Sequence, residues 1–228
     1  FVIFFNFFLH FIFYVLTIIV PLGYGILLRK VFIRKSSIAF DIGTIGFFGF
    51  FLLLFLSLLF HYFITIGYYF SSIILIIGII LFFININEIK LFFTKINIVV
   101  LLLIYPLSII FYLDEDFNYY YLPYLTYLES SKIIFGLVNL NDALVSSQNT
   151  LYDMFVFFKL PYLVEKGYSI VGVSFLFFFL SFLFSQIKKN SIQENIFIFF
   201  VIIISVSTFD KLRDIGASVP SQLLMIIS

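Results

Sequence analysis

Phe50-Phe51-Leu52-Leu53-Leu54-Phe55-Leu56-Ser57-Leu58-Leu59-Phe60 is a run with one hydroxyl and no charge. A transmembrane β-strand alternates lipid-facing apolar residues with polar ones on its other face, and this run does not alternate. Read outward, it belongs to a span over Thr44–Ile66, longer than the roughly 18 apolar residues that mark a membrane-crossing helix. The rest of the chain has the same character. Of its 228 residues 63% are hydrophobic and 11% are charged, against about 25% charged in an ordinary soluble domain. So few charges cannot cover a soluble globule of this size. A soluble enzyme, a nucleic-acid-binding protein and a disordered chain are excluded. The fold class is all-α: a polytopic transmembrane helix bundle.

Six spans are expected: Phe1–Leu28 with a kink at Pro21, Thr44–Ile66, Tyr69–Ile86, Ile96–Tyr112, Tyr168–Ile187 and the short Asn195–Thr208. A seventh opens near Ser221. The chain starts at Phe1 rather than Met and stops as that apolar segment begins, so it reads as one transmembrane domain over 1–228, a fragment of a longer protein. Its first stretch has no basic n-region and no small-residue cleavage site, so it is not a cleavable signal. There is no Cys, which removes disulfides, thiolate metal sites and Cys nucleophiles. There is no Trp, so anchoring at the membrane surface falls to the 15 Tyr.

Lys and Arg in short loops mark the cytoplasmic side. Eight of the 13 basic residues lie after the first, third and fifth spans: Arg29, Lys30, Arg34, Lys35, Lys90, Lys95, Lys188 and Lys189. Strict alternation puts those three loops on one side. The long segment 113–167 then falls on the other, as an extracytoplasmic loop. Within it, Pro123–Ser131 and Thr150–Lys159 are short amphipathic stretches suited to helices lying in the interface. Loops of this length in compact domains tend to be functional.

That loop holds most of the polar groups able to do chemistry. Asp114, Glu115 and Asp116 stand together at the outer end of the fourth span. Crowded carboxylates repel, which raises the pKa of at least one when partly buried. Such a cluster holds a divalent cation through oxygen ligands, or supplies a general base for a hydroxyl. The plainer reading is a solvated cap that keeps the helix from sliding into lipid. Tyr119, Tyr120 and Tyr121 follow, either as interface anchors or as a rim that stacks on sugar rings. Asn139 and Asn141 fit a turn, or orient substrate hydroxyls. Lys211 and Arg213, after the sixth span, fit a solvated loop or a phosphate site. His10 and His61 are too far apart for one metal site, and each is expected to be hydrogen-bonded within the bundle. Asp41 marks an interface before the second span. Gly23-Tyr24-Gly25 lacks the third glycine and the preceding strand of a dinucleotide motif.

The stretch Glu115-Asp116-Phe117-Asn118-Tyr119-Tyr120-Tyr121-Leu122-Pro123-Tyr124, with Gly136, Asn139 and Asn141 beyond and the charged segment Phe209–Leu223, resembles a group of poorly characterised bacterial multi-spanning proteins that look like relatives of the GT-C glycosyltransferases. The resemblance covers roughly Thr44 to the C-terminus. It implies a bundle with an acidic residue in a large outer loop acting as base, and a sugar donor carried on polyprenyl phosphate. It assigns Glu115 and Asp116 to the acidic pair. The chain departs from the pattern at Tyr121, where His is expected, and at Ala143, where a basic residue is. The acidic pair also follows the fourth span rather than the first.

The leading expectation is therefore an envelope glycosyltransferase of the bacterial inner membrane, taking a polyprenyl-phosphate-linked sugar, with membrane lipid and no nucleic acid as partner. Asp116 or Glu115 would be the base, with Asp114 in support. A non-enzymatic carrier or flippase is the second reading, and it calls for ionisable residues along a path through the spans. A structural subunit of a membrane complex is the third.

Overall fold

A computed structural model describes residues 2–32, 40–109, 121–136, 168–187 and 191–207. Every regular element among the described residues is helical: α1 (Val2–Phe32), α2 (Ile42–His61), α3 (Tyr68–Ile84), α4 (Ile86–Phe92), α5 (Lys95–Ile104) with a 3-10 turn at Tyr105–Ile109, α6 (Tyr121–Ser130), α7 (Tyr168–Ile187) and α8 (Ile192–Ser207). Among the described residues, three helical segments are long and apolar enough to cross a membrane: Phe7–Val31, Ile42–His61 and Ile170–Ile187. The α3–α4 pair, bent by 76°, makes a fourth if counted as one broken span.

The expected third and fourth spans come out broken or shorter, and the sixth, already expected to be short, stays below a full crossing, for local reasons. Asn85 ends α3: its side-chain amide donates to the Leu81 carbonyl at 2.7 Å, competing with the helical ladder, and the chain turns into α4. Pro106 has no N–H to give the carbonyl four residues back, and α5 tightens there into the 3-10 turn. The sixth segment starts at a capping box. Glu194 Oε2 accepts from the Ser191 N–H at 2.7 Å, and Ser191 Oγ accepts from the Glu194 N–H at 3.4 Å. The 16 residues of α8 rise about 24 Å, less than the roughly 30 Å of a hydrocarbon core. The second and fifth spans, free of such interruptions, form 20-residue helices. Asp41 caps α2 as an interface residue should, accepting the Thr44 N–H at 3.0 Å and the Thr44 hydroxyl at 2.9 Å. Pro21 lies inside α1, which continues unbroken through it.

Two kinds of contact pack the bundle. Between α1 and α2 the backbones themselves meet: a methyl group on Gly49 would collide with the Pro21 carbonyl, and one on Gly25 with the Ile45 carbonyl. Gly43 and Gly46 of α2 give the same room to Phe178 and Phe182 of α7. α7 is the central helix. It touches α1, α2, α5 and α8, and Phe177, Phe178 and Phe179 are fully buried. Thr17 and Ser174 hydroxyls meet at 2.5 Å between α1 and α7, and Ser174 also donates to the Ile170 carbonyl, so the buried polar atoms there are satisfied.

These contacts order the helix ends. Residues 21–25 of α1 lie against 45–49 of α2, so the two run antiparallel. α7 meets Thr17 through Ser174 and Gly43 through Phe182, so it runs parallel to α1. The end of the bundle holding the last turn of α1 also holds α4. The opposite end holds Phe7, His61, Tyr105 and α6.

Candidate functional site

Each end has its own chemistry. At the first, the Lys30 ammonium lies 2.6 Å from Glu88 Oε1 and donates to Asn85 Oδ1 at 2.6 Å. Arg29 approaches Glu88 at 3.7 Å, and its guanidinium stands over the rings of Phe40 and Phe92 at 5.4 and 5.1 Å. A cation over an aromatic face is favoured by the ring quadrupole. This clamp joins the end of α1 to the α3–α4 bend. Sequence reasoning counted Arg29 and Lys30 only as loop charges. The hidden signal was a lone Glu88 beside an Asn in an otherwise basic set.

At the opposite end, two anchors frame the segment that carries the acidic cluster. Before it, Tyr105 donates to the Phe7 carbonyl at 3.2 Å, and Tyr14 to the Leu101 carbonyl at 3.0 Å. The ring of Tyr105 packs against Phe7, His10, Phe11 and Tyr14, with centroids 4.9–5.9 Å apart. After it, α6 is fastened to the end of α2. His61 Nε2 is 2.9 Å from the Ser131 carbonyl, the Ile66 N–H donates to the Leu128 carbonyl at 2.9 Å, and the Ile133 N–H to the His61 carbonyl at 3.2 Å. Tyr127 stands edge-on to His61 at 5.6 Å. α6 buries Tyr124 and Leu128 and exposes Thr126 and Ser130. It is the amphipathic helix expected over Pro123–Ser131.

Of the sequence-derived site residues, Tyr121 opens α6. Asp114, Glu115, Asp116, Tyr119, Tyr120, Asn139, Asn141, Lys211 and Arg213 lie outside the described residues, as does the amphipathic stretch Thr150–Lys159. The candidate cation ligands at 114–116 are among them. The described residues show where the chain enters and leaves those segments. It enters 110–120 from the Tyr105 turn and leaves into α6. It enters 137–167 from the segment beside His61 and leaves into α7 near Ile170. α7 and α8 touch and are joined by the few residues between Ile187 and Ser191, a connection that makes them antiparallel neighbours. So the end of α8, before Lys211 and Arg213, also points to the His61 end. His10 is buried beside Tyr105, and His61 holds the hydrogen bond expected of it.

Comparison with protein-family models, with curated proteins and with solved structures finds no match to this chain.

Proposed function

We propose that the protein is a membrane-embedded transferase of the GT-C type. It moves a sugar from polyprenyl phosphate to a hydroxyl acceptor at the extracytoplasmic face of a bacterial inner membrane. One observation carries the reading. The segments bearing the acids, tyrosines, asparagines and the Lys211–Arg213 pair all start from, or start and end at, the His61 end of the bundle. That common end supports a reading in which the candidate groups meet at one membrane face, opposite the Lys30–Glu88 clamp.

In the proposed reaction Asp116 takes the proton from the acceptor hydroxyl. The acceptor oxygen bonds to the anomeric carbon, and the bond from that carbon to the phosphate oxygen breaks. Polyprenyl phosphate leaves with the electron pair, its charge met by Lys211 and Arg213. Glu115 and Asp114 support the base or hold a divalent cation, and Tyr119–Tyr121, Asn139 and Asn141 line the sugar. A donor with a lipid tail suits a site at the rim of an apolar bundle.

Asp116→Asn keeps the shape of the side chain and removes its basicity. Glycosyl transfer in membranes fed polyprenyl-phosphate sugars should fall about 10²-fold or more, with unchanged insertion. Transfer equal to wild type at equal expression removes Asp116 as base.

A further inference from the structure

The non-helical residues beside α6 are built unlike a solvated loop. Tyr62, Phe63 and Ile64 follow α2 directly and are exposed, and Ile134 and Phe135 follow α6 and are exposed. Phe63 and Phe135 show 65% and 83% of their surface. The rings of Tyr62 and Phe135 lie 6.2 Å apart, so the two segments form one apolar tip. The tip continues the outward stripe of α2, made by Phe51, Phe55, Leu58 and Leu59, whose helical spacing puts them on one face.

Part of its backbone is paired internally. The N–H groups of Phe63 and Ile64 donate to the Phe60 carbonyl, that of Ile66 to Leu128, that of Ser131 to Tyr127 and that of Ile133 to His61. The Ile134 N–H donates to the Tyr127 hydroxyl at 2.8 Å, and that hydroxyl donates to the Lys132 carbonyl at 3.1 Å. Internal pairing is what irregular backbone needs where water is scarce.

We infer that residues 62–66 and 131–135 form a finger seated in the headgroup and upper acyl region of the bilayer leaflet at the His61 end. Its occupant is lipid, because the tip prolongs the face by which α2 meets the membrane. Tyr62 and Tyr68 suit the headgroup level. The exposed Lys132 reaches phosphates while its stem stays in the apolar layer. His61 and Tyr127 fix the finger to the bundle, so α6 keeps its polar face, with Thr126 and Ser130, toward water.

The absence of Trp makes the test direct. Phe63→Trp and Phe135→Trp each place one indole at the tip of the full chain, with Leu59→Trp as a lipid-facing reference and Thr126→Trp as a water-facing one. The variants are reconstituted in phosphatidylcholine vesicles containing lipids brominated at shallow or deep acyl positions. At 63 and 135 the emission should be blue-shifted and quenched more by the shallow than by the deep bromines, while that at 126 is quenched by aqueous iodide. Iodide quenching at 63 and 135 equal to that at 126 would show a solvated loop and overturn the inference. So would protection from both quenchers, which would show the tip covered by protein. If a Trp variant does not reconstitute, a nitroxide on a single Cys at 64 or 134 reads the same depth by its relative exposure to oxygen and to an aqueous nickel chelate, and greater exposure to nickel than at 59 and equal to that at 126 overturns it.

Discussion

Gly49 shows how much a single residue decides in this bundle. Its α-carbon faces the Pro21 carbonyl so closely that a β-carbon has no room. The obstacle is backbone, which cannot turn aside as a side chain does. Without a hydrophobic effect between helices in lipid, such close approach supplies van der Waals contact between them. Gly49→Ala should therefore force α1 and α2 apart and destabilise the folded protein by about 1–3 kcal/mol, read from its unfolding by sodium dodecyl sulfate in mixed micelles. An unchanged transition would show that the helices separate at no cost. Nothing in the apolar run around Gly49 announced this role, because a hydrophobic pattern does not tell which helix faces which.

At the scale of the elements, the α3–α4 bend is tied by a pair of residues from different helices. Asn85 ends α3, and Lys30 reaches across from α1 to both Asn85 and Glu88. The ion pair is partly exposed, 45% on Lys30 and 41% on Glu88, so screening keeps its contribution small. A double-mutant cycle of Lys30→Met and Glu88→Gln should give a coupling of about 0.5–1 kcal/mol. Zero coupling would mean that the bend holds without the clamp. α2 and α7 were readable from sequence because their apolar runs are unbroken, and α6 because its polar and apolar residues separate at helical spacing. α4 was not. Seven residues with Glu88 and Lys90 among them look like a loop until Lys30 and the burial of Ile89 fix them. The shortening at Pro106 was likewise hidden, since a proline inside an apolar segment is compatible with either a kink or an end.

On the scale of the whole molecule, the packing sorts the helix ends into a clamp of Arg29, Lys30, Glu88 and Asn85 and a tyrosine-rich end where His61 holds α6. Sequence alone grouped the basic loops on one side by counting charges. The ion pair between Lys30 and Glu88 brings two of those loops together. The candidate acids, by contrast, were visible only as neighbours along the chain. That their segments begin and end at the α6 end follows from long-range hydrogen bonds, such as Tyr105 to Phe7, that no local pattern encodes. These two ends are expected to face opposite sides of a membrane, with the candidate chemistry on the outer one. Because the chain has no Cys, single cysteines at exposed positions test it directly: Thr126→Cys on α6 and Lys90→Cys on α4, each treated with an impermeant maleimide on intact cells. Labelling is expected at 126 in intact cells and at 90 only after lysis. Labelling of both positions from the same side, or of 90 alone before lysis, would contradict that arrangement.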